Sequence, residues 1–433
     1  TVLLLAAATA TWTGAASARP AESGSAATPN RVPQSITEAL PTRPASGPIA
    51  GVVSAETAGP ATRRPSVSDT VAALAPTDLS GTAGAESPAH RERPLRSFTL
   101  AAVGDVLTEN AVLDAGAAAA QPGQRYDFAP VFAPVAPIIA GADLAICHME
   151  IPVGRPGDRP GAYGRSPFGG NLLLAPAEIA TGLKATGFDR CSTASNHAND
   201  LGAPGIDSTL EVFDAAGLGH SGTARTPDEA GVSGVVVNGV WVAHLSYTRY
   251  SNTARPADGW RMSYAATPAQ IARDVAAARA AGAEVVVVSL HISHELDPEP
   301  IPADRRFVEE LTQAAHIDLI VEHGPHVIQP LESVNGTPVF WSVANFVSGM
   351  GQPGATRYGP PTLDGLIGLA TVSETSPGQF RVDARPLLIC NQVAGRIVHP
   401  ARATLADPAT PGWLRDEMAA CLARAERVIP NVD

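Results

Sequence analysis

Side chains able to hold a metal ion recur at the ends of the chain's apolar runs. Asp105 closes "SFTLAAVGD", Glu150 follows "ADLAICHM", and Asn196 with His197 follows "GFDRCSTAS". His291 ends "AEVVVVSLH", and His323 with His326 ends "IDLIVEHGPH". All of them offer oxygen or imidazole, and no cysteine stands among them. Such a donor set suits Mn, Zn or Fe better than Ca or a soft metal. Two ions about 3.5–4 Å apart, bridged by a carboxylate, would polarise a phosphoryl or acyl oxygen and activate water. One polar strand end means little, and Asp105 taken alone could equally cap the next helix. The repetition at successive strand ends is what points to a single centre.

Such a centre needs strands that lie side by side. The apolar runs are short and continuous, and helical stretches separate them at 175–186, 205–216, 268–281 and 303–315. This alternation predicts a largely parallel sheet covered on both faces. In such sheets ligands bind at the carboxyl ends of the strands. A different rhythm appears in "GVVVNGVWVAHLSY", "TPVFWSVANFV", "LIGLATVSE" and "FRVDARPLLIC". These read as antiparallel hairpins, the first turning at Asn238-Gly239. The expected architecture is a mixed α/β layered sandwich.

The chain has 433 residues and a formal charge of −12, with Lys184 its only lysine. An acidic surface without a basic run argues against a nucleic-acid partner, whose phosphates need clustered cations. The opening "TVLLLAAATATWTGAASARPA" carries an apolar run and then Ala16-Ser17-Ala18, like a secretory signal peptide without its basic start. Residues 1–18 are therefore expected to direct export, and the product to be secreted or extracytoplasmic. Residues 19–96, rich in Ala, Pro, Ser and Thr, are expected to form a disordered linker. The folded domain is placed at 97–395, with a helical tail at 396–433 packed on it. Four cysteines permit disulfides. Cys390 and Cys421 are expected to pair, whereas Cys147 and Cys191 could equally be buried thiols.

The order Asp, Glu, Asn-His, His, His-x-x-His resembles the metallophosphoesterase superfamily. More narrowly, it is similar to the CapA family of bacterial capsule (poly-gamma-glutamate) synthesis proteins. The matching stretches are "AAVGDVL", "ADLAICHMEIPV", "STASNHANDLGAPGIDSTLEVFDAAGLGHSGTARTPDEA", "VVSLHISHE" and "EHGPHVIQPLE" with "GTPVFWSVANFV". They run from about Phe98 to Val347. The resemblance implies a layered α/β/β/α sandwich of the metallo-dependent phosphatase type, with mixed sheets and two divalent ions. Asp105 would be the first-strand ligand, Glu150 the bridging acid, and Asn196 a ligand to the second ion. His291 and His323 would complete the donors of the second ion, and His326 those of the first. His197 would serve as general acid, with Glu295 and Asn345 orienting ligands. Arg225 would either grip an anionic substrate or form a surface ion pair.

The match also has departures. Asp105 is followed by Val106 and Leu107 rather than by an Asp-x-His opening, and His148-Met149-Glu150 stands where the family has Asn-Leu-Glu. His148 reads as a loop residue or an outer group that orients ligands, and Asn199 and Asp200 as turn and cap residues. His244 and His316 read as structural, His294 as a rim residue, and His220 as a loop or substrate contact. The implied function is a metal-dependent, phosphoesterase-like hydrolase of the envelope. The alternative is a non-catalytic accessory that grips an anionic polymer beside a membrane-bound capsule synthesis complex.

Overall fold

The computed structural model describes residues 95–292, 294–352 and 357–433. The expected signal segment 1–18 lies outside them, as does the expected linker 19–96 apart from its last two residues. The chain runs through β1 (Ser97–Val106), α1 (Asn110–Ala119), α2 (Ala129–Phe132), α3 (Ala136–Ala140) and β2 (Leu144–Met149). A small hairpin, β3 (Gly161–Arg165) and β4 (Asn171–Leu174), precedes α4 (Glu178–Thr186), β5 (Arg190–Ser192), α5 (Gly202–Ala216) and β6 (Gly219–Ser221). Then come β7 (Gly234–Val237), β8 (Val240–Thr248), α6 (Pro268–Ala280), β9 (Val285–His291), α7 (Pro302–Ala314) and β10 (Leu319–His323). The strands β11 (Leu331–Val334), β12 (Thr337–Phe340), β13 (Asn345–Val347), β14 (Asp364–Ser376), β15 (Gln379–Asn391) and β16 (Val398–Pro400) follow, and α8 (Ala401–Ala406) and α9 (Gly412–Ala425) end the chain.

Two mixed sheets stack face to face. The first has the order β16-β15-β14-β1-β2-β5-β6, with β13 beside the end of β1. The second has the order β11-β12-β10-β9-β8-β7. In each sheet a parallel core, β1-β2-β5-β6 or β8-β9-β10-β12, is flanked by antiparallel strands. Phe128, Phe132, Ile179 and Phe213 pack α1 to α5 on the outer face of the first sheet. Ile271, Val275, Phe307 and Leu311 pack α6 and α7 on the outer face of the second. The layered α/β/β/α expectation is met. Where the second sheet stops, Leu414, Met418 and Cys421 of α9 cover β14 and β15 instead.

The inter-sheet core grades from apolar to polar along each parallel strand. Successive residues alternate faces, so Val285, Val287, Ser289 and His291 line one side of β9. Leu319, Val321 and His323 do the same on β10, and Leu144, Ile146 and His148 on β2. The valines and leucines at the amino ends are buried between the sheets, each worth about 1.5–3 kcal/mol. The imidazoles at the carboxyl ends share that buried face.

Asp105 reaches the same face through an irregularity. Ala102 pairs with Ile146 and Asp105 with His148, so β1 carries one extra residue there. Strict alternation from Leu100 and Ala102 would aim Asp105 at the α1–α5 layer; the bulge re-aims it. Gly104 sits in that bulge, and a Cβ there would lie 1.8 Å from the Ala344 carbonyl oxygen. No larger residue fits against that backbone.

One expected hairpin is corrected. The segment "TPVFWSVANFV" is two strands in two sheets: β12 pairs antiparallel with β11 and parallel with β10, and β13 runs parallel to β1. Between them Ala344 takes a φ of +56°, and its carbonyl accepts the Asp105 amide at 2.9 Å. The crossing stitches the sheets together at the end that carries the histidines. The hairpin β7–β8 does form, with Asn238 and Gly239 both at positive φ, as the tight two-residue turn requires.

Candidate metal centre

The sheet register sets the side chains in rows. Asp105 is level with His148 and His148 with Ser192 in the first sheet, and His323 with His291 in the second. Across the gap, His323 Nδ1 lies 3.7 Å from Asp105 Oδ1. His148 Nε2 lies 3.9 Å from that same oxygen and 3.1 Å from His291 Nδ1, and its ring stacks on His323 with centroids 4.0 Å apart. On the other side of the carboxylate, His326 Nδ1 is 3.0 Å from Asp105 Oδ2 and its Nε2 is 3.9 Å from Glu150 Oε1. Asp105, Glu150, His148, His291, His323 and His326 are all buried. Five of these come from the ends of four strands, β1, β2, β9 and β10, and His326 comes from the loop after β10.

Asn345 decides which nitrogen His326 presents. Its amide nitrogen donates to the Thr362 carbonyl at 3.0 Å, which leaves its oxygen to accept the His326 Nδ1 proton at 3.0 Å. The Nδ1 contact with Asp105 is close but not aligned as a hydrogen bond. Nε2 therefore faces Glu150. His326 holds a backbone φ of +60°, a conformation that costs a non-glycine residue of order 1–3 kcal/mol and is typical of functional loops.

Electrostatics divides the imidazoles into two groups. Burial pushes His148, His291 and His323 well below the ordinary imidazole value, and neighbouring histidines add to it. These rings are neutral and carry a lone pair. Burial also opposes charge on His326, but Glu150 and Asp105 outweigh it and raise it to about 10. Burial and the Asp105 charge raise Glu150 to about 8. A proton on His326 thus partly offsets two clustered carboxylates, which is work a cation could do.

The stretch "ASNHAND" forms a chain of turns between β5 and α5. Ser195 Oγ donates to the Glu150 carbonyl and accepts the His197 amide at 3.1 Å, tying the turn to the end of β2. Asn196 turns its side-chain oxygen into the interior, where it finds no hydrogen-bond partner. His197 remains slightly open, with 12% of its side chain exposed. Its Nδ1 is 2.7 Å from Asp200 Oδ2, and the Asn252 amide packs 3.1 Å from Nε2. Burial opposes charge on His197, but the Asp200 bond and charge raise it above the ordinary value. Asp200 also accepts the Leu173 amide at 2.8 Å, so it joins the turn and orients His197.

Other expected residues stand apart from the cluster. Glu295 bonds Arg357 at 2.7 Å and the Tyr358 hydroxyl at 3.1 Å, and no hydrogen bond joins it to a candidate ligand among the described residues. Arg225 is engaged by Glu229 and by Asp214, the latter at 2.7 Å. Of its two readings, the ion pair is the one formed. His220 lines a separate cavity of about 400 Å³ beside β6 and β8, with Asp214 3.2 Å away. His244 bonds Arg190 and Ser289 inside the protein.

His148 is the residue whose place the sequence reading missed. It lies two positions before Glu150, and the strand period of two already places both on one face.

The cluster passes a test of chemistry. Both oxygens of Asp105 and of Glu150, Asn196 Oδ1, His291 Nε2 and both nitrogens of His323 are buried without a hydrogen-bond partner. Each unpaired buried group costs about 1–3 kcal/mol, and such groups are rare in folded proteins. Two sets of candidate donor atoms lie within 4.8 Å of one another: Asp105, Glu150 and His326, and Asp105, His148 and His323. Carboxylate oxygen and imidazole nitrogen are the donors of divalent transition-metal ions, so the residues fit that group.

The profile of the bacterial capsule synthesis protein family PGA_cap matches residues 99–350. The PGA biosynthesis protein CapA of Bacillus subtilis (strain 168) is 31% identical over 202 residues, 46% of this chain and 51% of that protein. The capsule biosynthesis protein CapA of Bacillus anthracis is 28% identical over 268 residues, 60% of this chain and 62% of its own length. The chain thus spans between half and two thirds of these curated relatives. A 5'-nucleotidase precursor from Thermus thermophilus superimposes with a TM-score of 0.37 at 14% identity, over 78% of this chain and 60% of that one.

Proposed function

This chain belongs to the bacterial capsule synthesis protein family PGA_cap, and from that premise we propose a metal-dependent, phosphoesterase-like hydrolase serving capsule or poly-gamma-glutamate biosynthesis at the cell envelope. One observation carries the proposal: buried, unpartnered oxygen and nitrogen atoms from several strand ends crowd around Asp105. Asp105, Glu150, Asn196, His291, His323 and His326 would hold two divalent ions of the Mn, Zn or Fe class. Such ions, when bound, polarise a phosphoryl or acyl oxygen and activate water.

The chain's own residues supply the rest. Asp105 belongs to both donor sets, whereas Glu150, the expected bridging acid, belongs to one. Asn345 keeps His326 Nε2 turned inward toward Glu150, where a bound ion would take the place of its proton. His197 would give the leaving group its proton from Nε2, because Asp200 occupies Nδ1 and part of the ring is open to solvent. Two disulfides, Cys147–Cys191 and Cys390–Cys421, support an oxidising, extracytoplasmic location. Among the described residues no helix is long and apolar enough to cross a membrane.

The test uses the full chain loaded with Mn²⁺ or Zn²⁺ and aryl phosphate monoesters and diesters. Hydrolysis is expected, and His197→Ala should lower its rate by about 10²–10⁴-fold without changing the melting temperature or the metal content. A second reading rests on the relatives' names, which speak of capsule and PGA biosynthesis. On that reading the same cleft grips an anionic polymer for a membrane-bound synthesis complex. Metal-loaded protein that cleaves no ester but binds poly-gamma-glutamate would favour it.

A further inference from the structure

His148 is buried at the meeting point of the two sheets, and the hydrolytic reading gives it no task. Its Nδ1 is 2.7 Å from Ser192 Oγ, and that hydroxyl also lies 3.3 Å from the Cys147 carbonyl oxygen. A hydroxyl has one proton. With that proton on the carbonyl, Ser192 accepts from Nδ1, and His148 Nε2 is left with a lone pair. This lone pair accepts from His291 Nδ1 at 3.1 Å, and Asp105 Oδ1 lies 3.9 Å away, beyond hydrogen-bond reach. His323 stacks on the same ring, and neither of its nitrogens has a hydrogen-bond partner.

We propose that His148 is a metal ligand, joining Asp105 and His323 around one cation in a nitrogen-rich half of the centre. The proposal rests on the metal-centre reading above and adds a ligand that reading does not include. A cation bound at about 2.0–2.2 Å would draw the three donor atoms together from their present separations. His291 Nδ1 is hydrogen-bonded to His148 Nε2 at 3.1 Å, a bond that a cation would replace, while His291 Nε2 has no partner. The two halves then differ in kind. Imidazoles dominate the half at His148 and select a zinc-class ion over Mg²⁺ or Ca²⁺, whereas Asp105, Glu150 and His326 form the oxygen-richer half. Ser192 is a positioning residue, because it fixes the nitrogen that His148 presents.

The experiment is a Zn²⁺ titration of the ion-free full chain in competition with a chromogenic chelator. The wild type should bind Zn²⁺ tightly, and excess Mg²⁺ should not displace it. His148→Phe keeps a flat ring against His323 and should lower the affinity of the tighter site about 100-fold or more. Ser192→Ala keeps every donor and should lower it about 10-fold, with Ser192→Thr restoring it. The Ser192 series carries the test if the phenylalanine variant does not fold. Unchanged Zn²⁺ affinity in both His148→Phe and Ser192→Ala would overturn the role of His148 and leave the centre standing. A wild type that takes up no Zn²⁺ and no Mn²⁺ would overturn the centre itself.

Discussion

The amide of Asn345 is a small group with a large effect on chemistry. With one end held by the Thr362 carbonyl, it can only accept from His326, and the ligand nitrogen follows. Asn345→Leu should therefore weaken Mn²⁺ binding about 10–100-fold in a calorimetric titration; unchanged binding would remove Asn345 from this role. His244 offers a pH prediction at a residue outside the two donor sets. Burial, reinforced by Arg190, holds its folded value well below the ordinary one, so the folded state keeps it neutral. The unfolded imidazole takes up a proton below about pH 6.5. Its contribution is complete above that pH and is lost as pH falls, by up to about 1.4 kcal/mol per pH unit. In urea titrations, the stability gap between wild type and His244→Gln should shrink between about pH 7 and about pH 5. A constant gap would show that His244 does not titrate on unfolding.

At the scale of elements, the end of β1 is the critical joint. Its bulge turns Asp105 from the helix layer to the inter-sheet face, and Gly104 lets β1 touch the crossing at Ala344. Gly104→Ala should cost about 3 kcal/mol or more, and any folded fraction should lose metal affinity because Asp105 moves. Normal stability and normal Zn²⁺ binding in that variant would contradict the geometry. The disulfide Cys390–Cys421 ties α9 to β15 across a sequence separation of 31 residues. Replacing both cysteines with serine should cost about 3–4 kcal/mol by the loop-entropy estimate, read as a shift in the denaturant midpoint. Metal binding should persist, because neither cysteine belongs to the donor sets around Asp105.

For the molecule as a whole, the centre sits where two sheets must meet, so binding and folding are coupled. The crowd of unpaired donors destabilises the ion-free fold, and an ion that binds only the folded state stabilises it. Zn²⁺ at about 100 times its dissociation constant should add about 2.7 kcal/mol, raising the melting temperature by roughly 4 °C, and a chelator should reverse it. A melting curve indifferent to Zn²⁺, Mn²⁺ and chelator would contradict that coupling.

Much of this was legible before any coordinates. Apolar runs ending in Asp, Glu, Asn-His and His announced strands whose carboxyl ends converge, and helical stretches between them announced the layers. Those signals are local, carried by periodicity and turn residues. The Asn238-Gly239 hairpin was read the same way, and the Cys390–Cys421 pair from the nearness of both cysteines to the C-terminus. His148 was read as a loop residue or an outer group, because its place level with Asp105 depends on the pairing of β1 with β2. Three things only the tertiary structure decided. The bulge aims Asp105, because register is a property of two strands and not of one. The segment 337–347 divides between two sheets, because the Gly104 contact with Ala344 is long-range. Arg225 and Glu295 are taken by Glu229, Asp214, Arg357 and Tyr358, because which charges pair depends on where the fold sets them.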